Sequence, residues 1–271
     1  MRAPDAPAPY QLVLSRGLPD ETGAVRLRRD LPEEEWRWIA RLRRPDDRLR
    51  SLVGRALVRR LLGRRLDLAP EDVPLGAGPR GKPVLKSGGP GGDAPGPGAR
   101  QPPAWHFNIA HSGDLVLAGV GPRPLGVDVE HCPDSVDANL WRLVAGGPPP
   151  DPAPGGSATA PDPQAFCAQW VRREAVLKAC GLGLAAEPGT LRLADAGETD
   201  WTPVSGLPEA EGLWVRLLWA SPDHCAALCL PGVAPAMPST SARGPAPHDA
   251  PSPGAWTLRT LALVDWIDGR G

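Results

Sequence analysis

Lysine is nearly missing from this sequence: among 30 basic residues it occurs only at Lys82, Lys86 and Lys178. Arginine supplies the rest, so each compact ammonium becomes a candidate for work that a planar guanidinium does badly. Cysteine is scarce and odd in number, five residues at Cys132, Cys167, Cys180, Cys225 and Cys229 with no C-x-x-C spacing. That argues against a disulfide framework or a zinc knot and reads as reduced, partly buried thiols. His131 beside Cys132 and His224 beside Cys225 are sequence neighbours, which seldom face one point, so neither pair is taken as a nucleophile or ligand set. No apolar run approaches a membrane span, and the opening MRAPDAPAPYQ lacks the basic-then-apolar order of a secretory signal. A net charge of -1 gives no general attraction to polyanions. The expectation is a soluble cytoplasmic protein with no nucleic-acid or membrane partner.

Proline and glycine, by contrast, are plentiful, at 36 and 32 of 271 residues. They gather in 87–104, 145–163 and 231–254, which are read as flexible, low-complexity segments because such runs sustain neither a helix nor a central strand. Between them the pattern is regular. Residues 32–44 open on Pro32 and three glutamates and close on arginines, as a helix does. Pro45 interrupts, and Asp46 or Asp47 then caps a second helix to about Leu66, with Leu49, Leu52, Val53, Ala56 and Leu57 at helical spacing. Arg48, Arg50, Arg55, Arg59, Arg64 and Arg65 make its basic face, mostly solvated, with an anion site near Arg50 and Ser51 as the other reading. A third helix spans about Gln164 to Cys180, capped by Asp162, started by Pro163 and ended by Gly181. Residues 213–220 and 224–230 read as strands joined by Ser221-Pro222-Asp223, and WTLRTLALVDWI as a final strand.

The segment FNIAHSGDLVLAGVGPRPLGVDVE, residues 107–130, carries two carboxylates one residue apart at the end of a β-branched run. Period two places Asp128 and Glu130 on one face and Val127 and Val129 on the other. Two converging carboxylates suit a hard cation, although a solvated strand edge has the same pattern. In WVRREAVLKACGLG, Glu174 and Lys178 lie four apart on one helical face, either a surface ion pair or a third carboxylate and an ammonium for a metal-bound pyrophosphate. His111 and Ser112 precede a glycine, as a polar turn or as a phosphate-facing imidazole; without G-x-S-x-G there is no hydrolase elbow. GAGPRGKP, Gly76–Pro83, puts proline where a P-loop needs a hydroxyl, so it is not a nucleotide cradle.

Taken in order, an Arg-Ser pair opening a helix, GKP, FNIAHS, GVDVE and W-x-x-R-E-A-x-x-K resemble the 4'-phosphopantetheinyl transferases of the large, surfactin-synthetase-activating type, from about Arg48 to Leu230. The resemblance implies an α+β fold of two similar halves, each a small antiparallel sheet packed with a long helix, about residues 1–122 and 123–230, with a tail at 231–271 and the active site in the cleft between halves. It implies transfer of 4'-phosphopantetheine from coenzyme A to a serine of an apo acyl or peptidyl carrier protein, a holo-carrier synthase activity, by a monomer. Asp128, Glu130 and Glu174 would hold Mg2+; Glu174, or a water it positions, would take the serine proton; Lys178 would neutralise the leaving 3',5'-ADP. His111 would contact phosphate, and Arg50, Ser51 and Lys82 the adenylate end. The carrier would dock beside 131–163, helped by Arg142 and Arg172. Two departures stand out: Arg173 stands where the family usually has lysine before Glu174, keeping the charge but losing the option of acting as an acid, and Ala110 replaces a common serine before His111, the loss of whose hydroxyl implies somewhat weaker cofactor binding. Two rivals share the motifs: a magnesium enzyme acting on another nucleotide pyrophosphate, and a non-catalytic coenzyme A- or carrier-binding module.

Overall fold

The computed structural model describes residues 10–78, 83–86, 104–149, 160–183, 186–193, 201–232 and, for the backbone, 256–262. Residues 87–103 of the insertion read at 87–104, residues 150–159 of that read at 145–163, and Lys82 lie outside these residues, while Ala145 ends one helix and Pro163 begins another. The architecture is α+β, with five α-helices among the described residues. The chain divides into two compact units, residues 1–123 with 254–271, and residues 124–253.

In the first unit, β1 (Tyr10–Arg16) leads to α1 (Glu21–Arg28), capped by the Asp20 carboxylate accepting from the Gly23 amide at 2.7 Å. Next come α2 (Glu33–Ala40) and α3 (Pro45–Leu66). Pro45 does not break α3 but opens it: its missing N–H is one the first turn would leave unbonded anyway. Asp46 and Asp47 are therefore first-turn acids at the positive end of the helix dipole rather than caps. Leu52, Val53, Ala56 and Leu57 are buried in the core, as their spacing predicts. The basic face differs from the expectation. Arg59 is only 2% exposed, donating to Glu35 Oε2 at 2.6 Å and to the Pro70 and Val73 carbonyls at 2.9 Å, and Arg55 also pairs with Glu35. One acid of α2 thus clamps two arginines of α3. A two-stranded ribbon, β2 (Leu75–Ala77) with β3 (Pro83–Leu85), follows. The hairpin β4 (His106–Ser112) and β5 (Leu115–Gly121) then pairs antiparallel, with β5 against β1.

The second unit is built on β6 (Gly126–His131), α4 (Ala138–Ala145), α5 (Pro163–Cys180), β7 (Arg192–Leu193), β8 (Thr202–Ser205), β9 (Leu213–Ala220) and β10 (His224–Pro231), in sheet order β6-β10-β9-β8-β7. Both ends of α5 follow the sequence reading: Asp162 accepts from the Gln164 and Ala165 amides, and Gly181 closes the helix in the left-handed region at φ 70. Its buried stripe, Cys167, Val171, Ala175 and Val176, packs on Cys225, Ala227 and Cys229 of β10. The last strand, β11 (Trp256–Ala262), returns to the first unit and pairs parallel to β1, completing the order β11-β1-β5-β4. The segment read as a tail thus contributes a strand to that sheet. No described helix is long and apolar enough to cross a membrane.

Candidate active site

Strand β6 and helix α5 approach one another through a glycine. A Cβ on Gly126 would lie 1.8 Å from the Ala175 carbonyl oxygen and 2.7 Å from the Ala179 nitrogen, so only a bare backbone fits there. Because strand side chains alternate, the face carrying Gly126 also carries Asp128 and Glu130 and looks onto α5, while Val127 and Val129 are buried on the other. Around Ala175 and Ala179 on the helix stand Glu174 and Lys178. The two segments singled out in the sequence therefore meet.

Lys178 Nζ donates to Asp128 Oδ1 at 2.5 Å, so the helical lysine pairs across to the strand rather than with Glu174 at i,i-4. Asp128 is 1% and Glu174 8% exposed. Asp128 Oδ2 and Glu174 Oε1 are both buried with no hydrogen-bond partner. Burial pushes the Asp128 carboxyl above the usual range, against the pull of Lys178. Burial likewise raises Glu174, opposed by Lys178 and reinforced by the nearby Asp128 and Glu130 charges. Unpaired carboxylate oxygens in low dielectric are costly, and a hard cation with oxygen ligands is the group that satisfies them. The donor set, three carboxylates with one half-buried at Glu130, fits Mg2+. The three are not gathered as closely as thiols are elsewhere: among the described residues, the trio with ligand atoms all within 4.8 Å of one another is Cys132, Cys167 and Cys225.

In the first unit, Arg50 Nη1 donates to the Gly113 carbonyl at 2.7 Å and Nη2 to Asp47 Oδ1 at 2.6 Å, which holds Asp47 below the ordinary carboxylate range. Gly113 turns the β4–β5 hairpin at φ 57, so Arg50 is tied to the hairpin that carries His111, whose charge also bears on Asp47. One helical turn on, Gly54 seats α3 against Ile109 and Val116. Ser51 follows Arg50 in the second turn of α3 and is half-buried. Lys82 lies outside the described residues.

Three sequence expectations change. Arg172 is 8% exposed, too buried to greet a partner, whereas Arg142 is exposed on α4 and bonds to Asn139. Arg173 is buried as well: it donates to the Ala145 carbonyl at 3.0 Å and to Gln169, tying α5 to the end of α4, and burial lowers its pKa to about 10. Its guanidinium thus serves the helix pair, where a lysine would reach fewer acceptors. Ala110 is buried and, by strand alternation, points away from the His111 face. The cysteines are free, as expected, and burial pushes the Cys132 thiol up to about 11, unlike an activated nucleophile.

A family model described as 4'-phosphopantetheinyl transferase, N-terminal, matches residues 19–121. A phosphopantetheinyl transferase of Thraustochytrium sp. is 28% identical over 198 residues, covering 67% of this chain and 63% of its own. A 4'-phosphopantetheinyl transferase of Bacillus subtilis is 27% identical over 190 residues, covering 68% of this chain and 75% of its own. The 4'-phosphopantetheinyl transferase Sfp of Bacillus subtilis is 31% identical over 85 residues, about a third of each chain at 31% and 32%. Both comparisons liken this chain to 4'-phosphopantetheinyl transferases, the family model over residues 19–121 and the two longer matches at 27–28% identity.

The residue of this site that sequence reasoning missed is Gly126. Its signal was present: a glycine two places before Asp128, on the same strand face, at a position where any side chain would push β6 off α5.

Proposed function

We propose that the chain transfers the 4'-phosphopantetheine group of coenzyme A to a serine of an apo acyl or peptidyl carrier protein and releases 3',5'-ADP, as a monomeric, cytoplasmic enzyme of the Sfp-like, holo-carrier synthase type. The observation that carries the proposal is the pair of buried, partnerless oxygens, Asp128 Oδ2 and Glu174 Oε1, beside an ammonium already paired to Asp128. The names of the relatives and the similar build of each unit, a long helix on a small sheet, support it.

Asp128, Glu130 and Glu174 are the residues that would hold Mg2+, which when bound supplies charge neutralisation on the pyrophosphate. The chain's own residues do the rest. The serine oxygen bonds to the β-phosphorus as the bridging P–O bond to the adenylate breaks. Glu174, kept basic by burial and by its acidic neighbours, takes the serine proton directly or through a positioned water. Lys178, about a quarter exposed at 26%, offers its ammonium to the charge gathering on 3',5'-ADP. Arg50, Ser51, Lys82 and His111 are proposed to bind the adenylate and phosphate end. Little covalent work falls to the protein, so alignment and charge placement supply most of the rate.

Incubation of apo acyl and peptidyl carrier proteins with coenzyme A and Mg2+, followed by intact-mass measurement, tests this. The expected outcome is a phosphopantetheine mass gain with the wild type and none with Glu174→Gln. No gain on any carrier, or equal gain with the variant, rejects the proposal.

A further inference from the structure

Two residues beyond Glu130 the chemistry of the second unit changes from oxygen to sulfur. Cys132 follows β6, Cys167 lies in the second turn of α5 and Cys225 in β10, and their sulfurs all lie within 4.8 Å of one another. Cys132 Sγ and Cys225 Sγ are 3.9 Å apart. Three sulfurs around one metal at a Zn–S length of about 2.3 Å stand about 3.8 to 4.0 Å apart, so the spacing needs little adjustment. We propose that Cys132, Cys167 and Cys225 form a binding site for a thiophilic divalent cation, Zn2+ or Cd2+ in class, separate from the carboxylates.

The surroundings agree with that choice. As thiols the three are already satisfied, Cys132 by the Ser221 carbonyl at 3.9 Å, Cys167 by that of Glu130 at 3.6 Å and Cys225 by that of Gln164 at 3.8 Å. The cluster therefore folds without metal, and binding replaces each S–H proton, which leaves to solvent. Three thiolates carry three negative charges; a divalent ion leaves one, a monovalent ion two, and the buried position favours the smaller remainder. Entry is provided by a pocket of about 290 Å³ in which Cys167 is a lining residue, together with Glu130, His131, Phe166 and Trp170. Hard and soft donors are thus segregated: Mg2+ has no affinity for the thiols, and a soft ion prefers them to the acids.

The test is Cd2+ titration of the reduced full-length chain in Mg2+ buffer, read by the ultraviolet thiolate-to-metal charge-transfer band. One equivalent should develop the band, with at least a tenfold loss of affinity in Cys132→Ala and in Cys167→Ala and no change in Cys180→Ser. Circular dichroism establishes that each variant is folded; a variant that is not is replaced by Cys225→Ser at the same cluster. Absence of the band in the wild type, or a band that survives in the folded cluster variants, overturns the proposal. Neither readout depends on transfer activity, so the proposed function stands or falls separately.

Discussion

Asp128 and Glu174 are acids whose burial makes ionisation expensive, and this gives the site a pH signature. Folding raises both pKa values above their ordinary 3.8 and 4.5, so the folded state holds these protons more tightly than the unfolded chain. The stability they contribute is complete below those ordinary values and is lost as pH rises through the raised, folded ones. In chelator, the melting temperature of the wild type relative to Glu174→Gln should fall as pH climbs above 4.5, and added Mg2+ should recover the loss near neutrality. A pH-independent difference would contradict the burial argument. Lys178→Ala removes the donor to Asp128 Oδ1 and leaves that buried carboxylate without its cation. A loss of about 1–3 kcal/mol is expected in denaturant unfolding at neutral pH, and much less in an Asp128→Asn background, since the two share one interaction. At this scale the sequence singled out side chains that the structure brings near one another, Asp128 with Lys178. It was silent on pairing: helical spacing suggested Glu174 with Lys178, whereas the lysine reaches the strand.

Among elements, the contact of β6 with α5 decides the geometry. Gly126→Ala puts a methyl group on the Ala175 carbonyl, and backbone on both sides leaves no soft neighbour to yield. The variant should lose about 1–3 kcal/mol of stability and lose transfer activity out of proportion, because Asp128 and Glu174 sit on the two elements forced apart. Thermal unfolding and turnover measured together check this; unchanged turnover would show that the separation of β6 and α5 does not matter. Caps and glycine stops made α5 readable to the residue, since Asp162, Pro163 and Gly181 act locally. The start of α3 was misread because Pro45 was taken for a break when a first-turn proline costs nothing. Arg59 was misread because helical periodicity identifies a charged face but not the partner, Glu35, that another helix brings to it.

For the whole molecule, the distinctive pairing joins the two ends of the sequence. β11 runs parallel to β1, and no local signal links Tyr10–Arg16 to Trp256–Ala262, so strand existence was legible while its place was not. Truncation before Gly254 should strip β1 of that neighbour and expose a sheet edge, lowering the melting temperature and promoting association in sedimentation analysis. An unchanged melting temperature would make β11 dispensable. The three proposed magnesium ligands, Asp128, Glu130 and Glu174, by contrast all lie within residues 124–253, so the proposed metal chemistry belongs to one unit.

That chemistry has a direct test in Mn2+ binding, followed by electron paramagnetic resonance in the presence of coenzyme A. The wild type should take up one ion per chain, Asp128→Asn and Glu174→Gln should bind it at least about tenfold more weakly, and Glu211→Gln, an exposed acid of the same unit, should match the wild type. Binding by Glu174→Gln as tight as that of the wild type would contradict shared coordination by the strand and the helix.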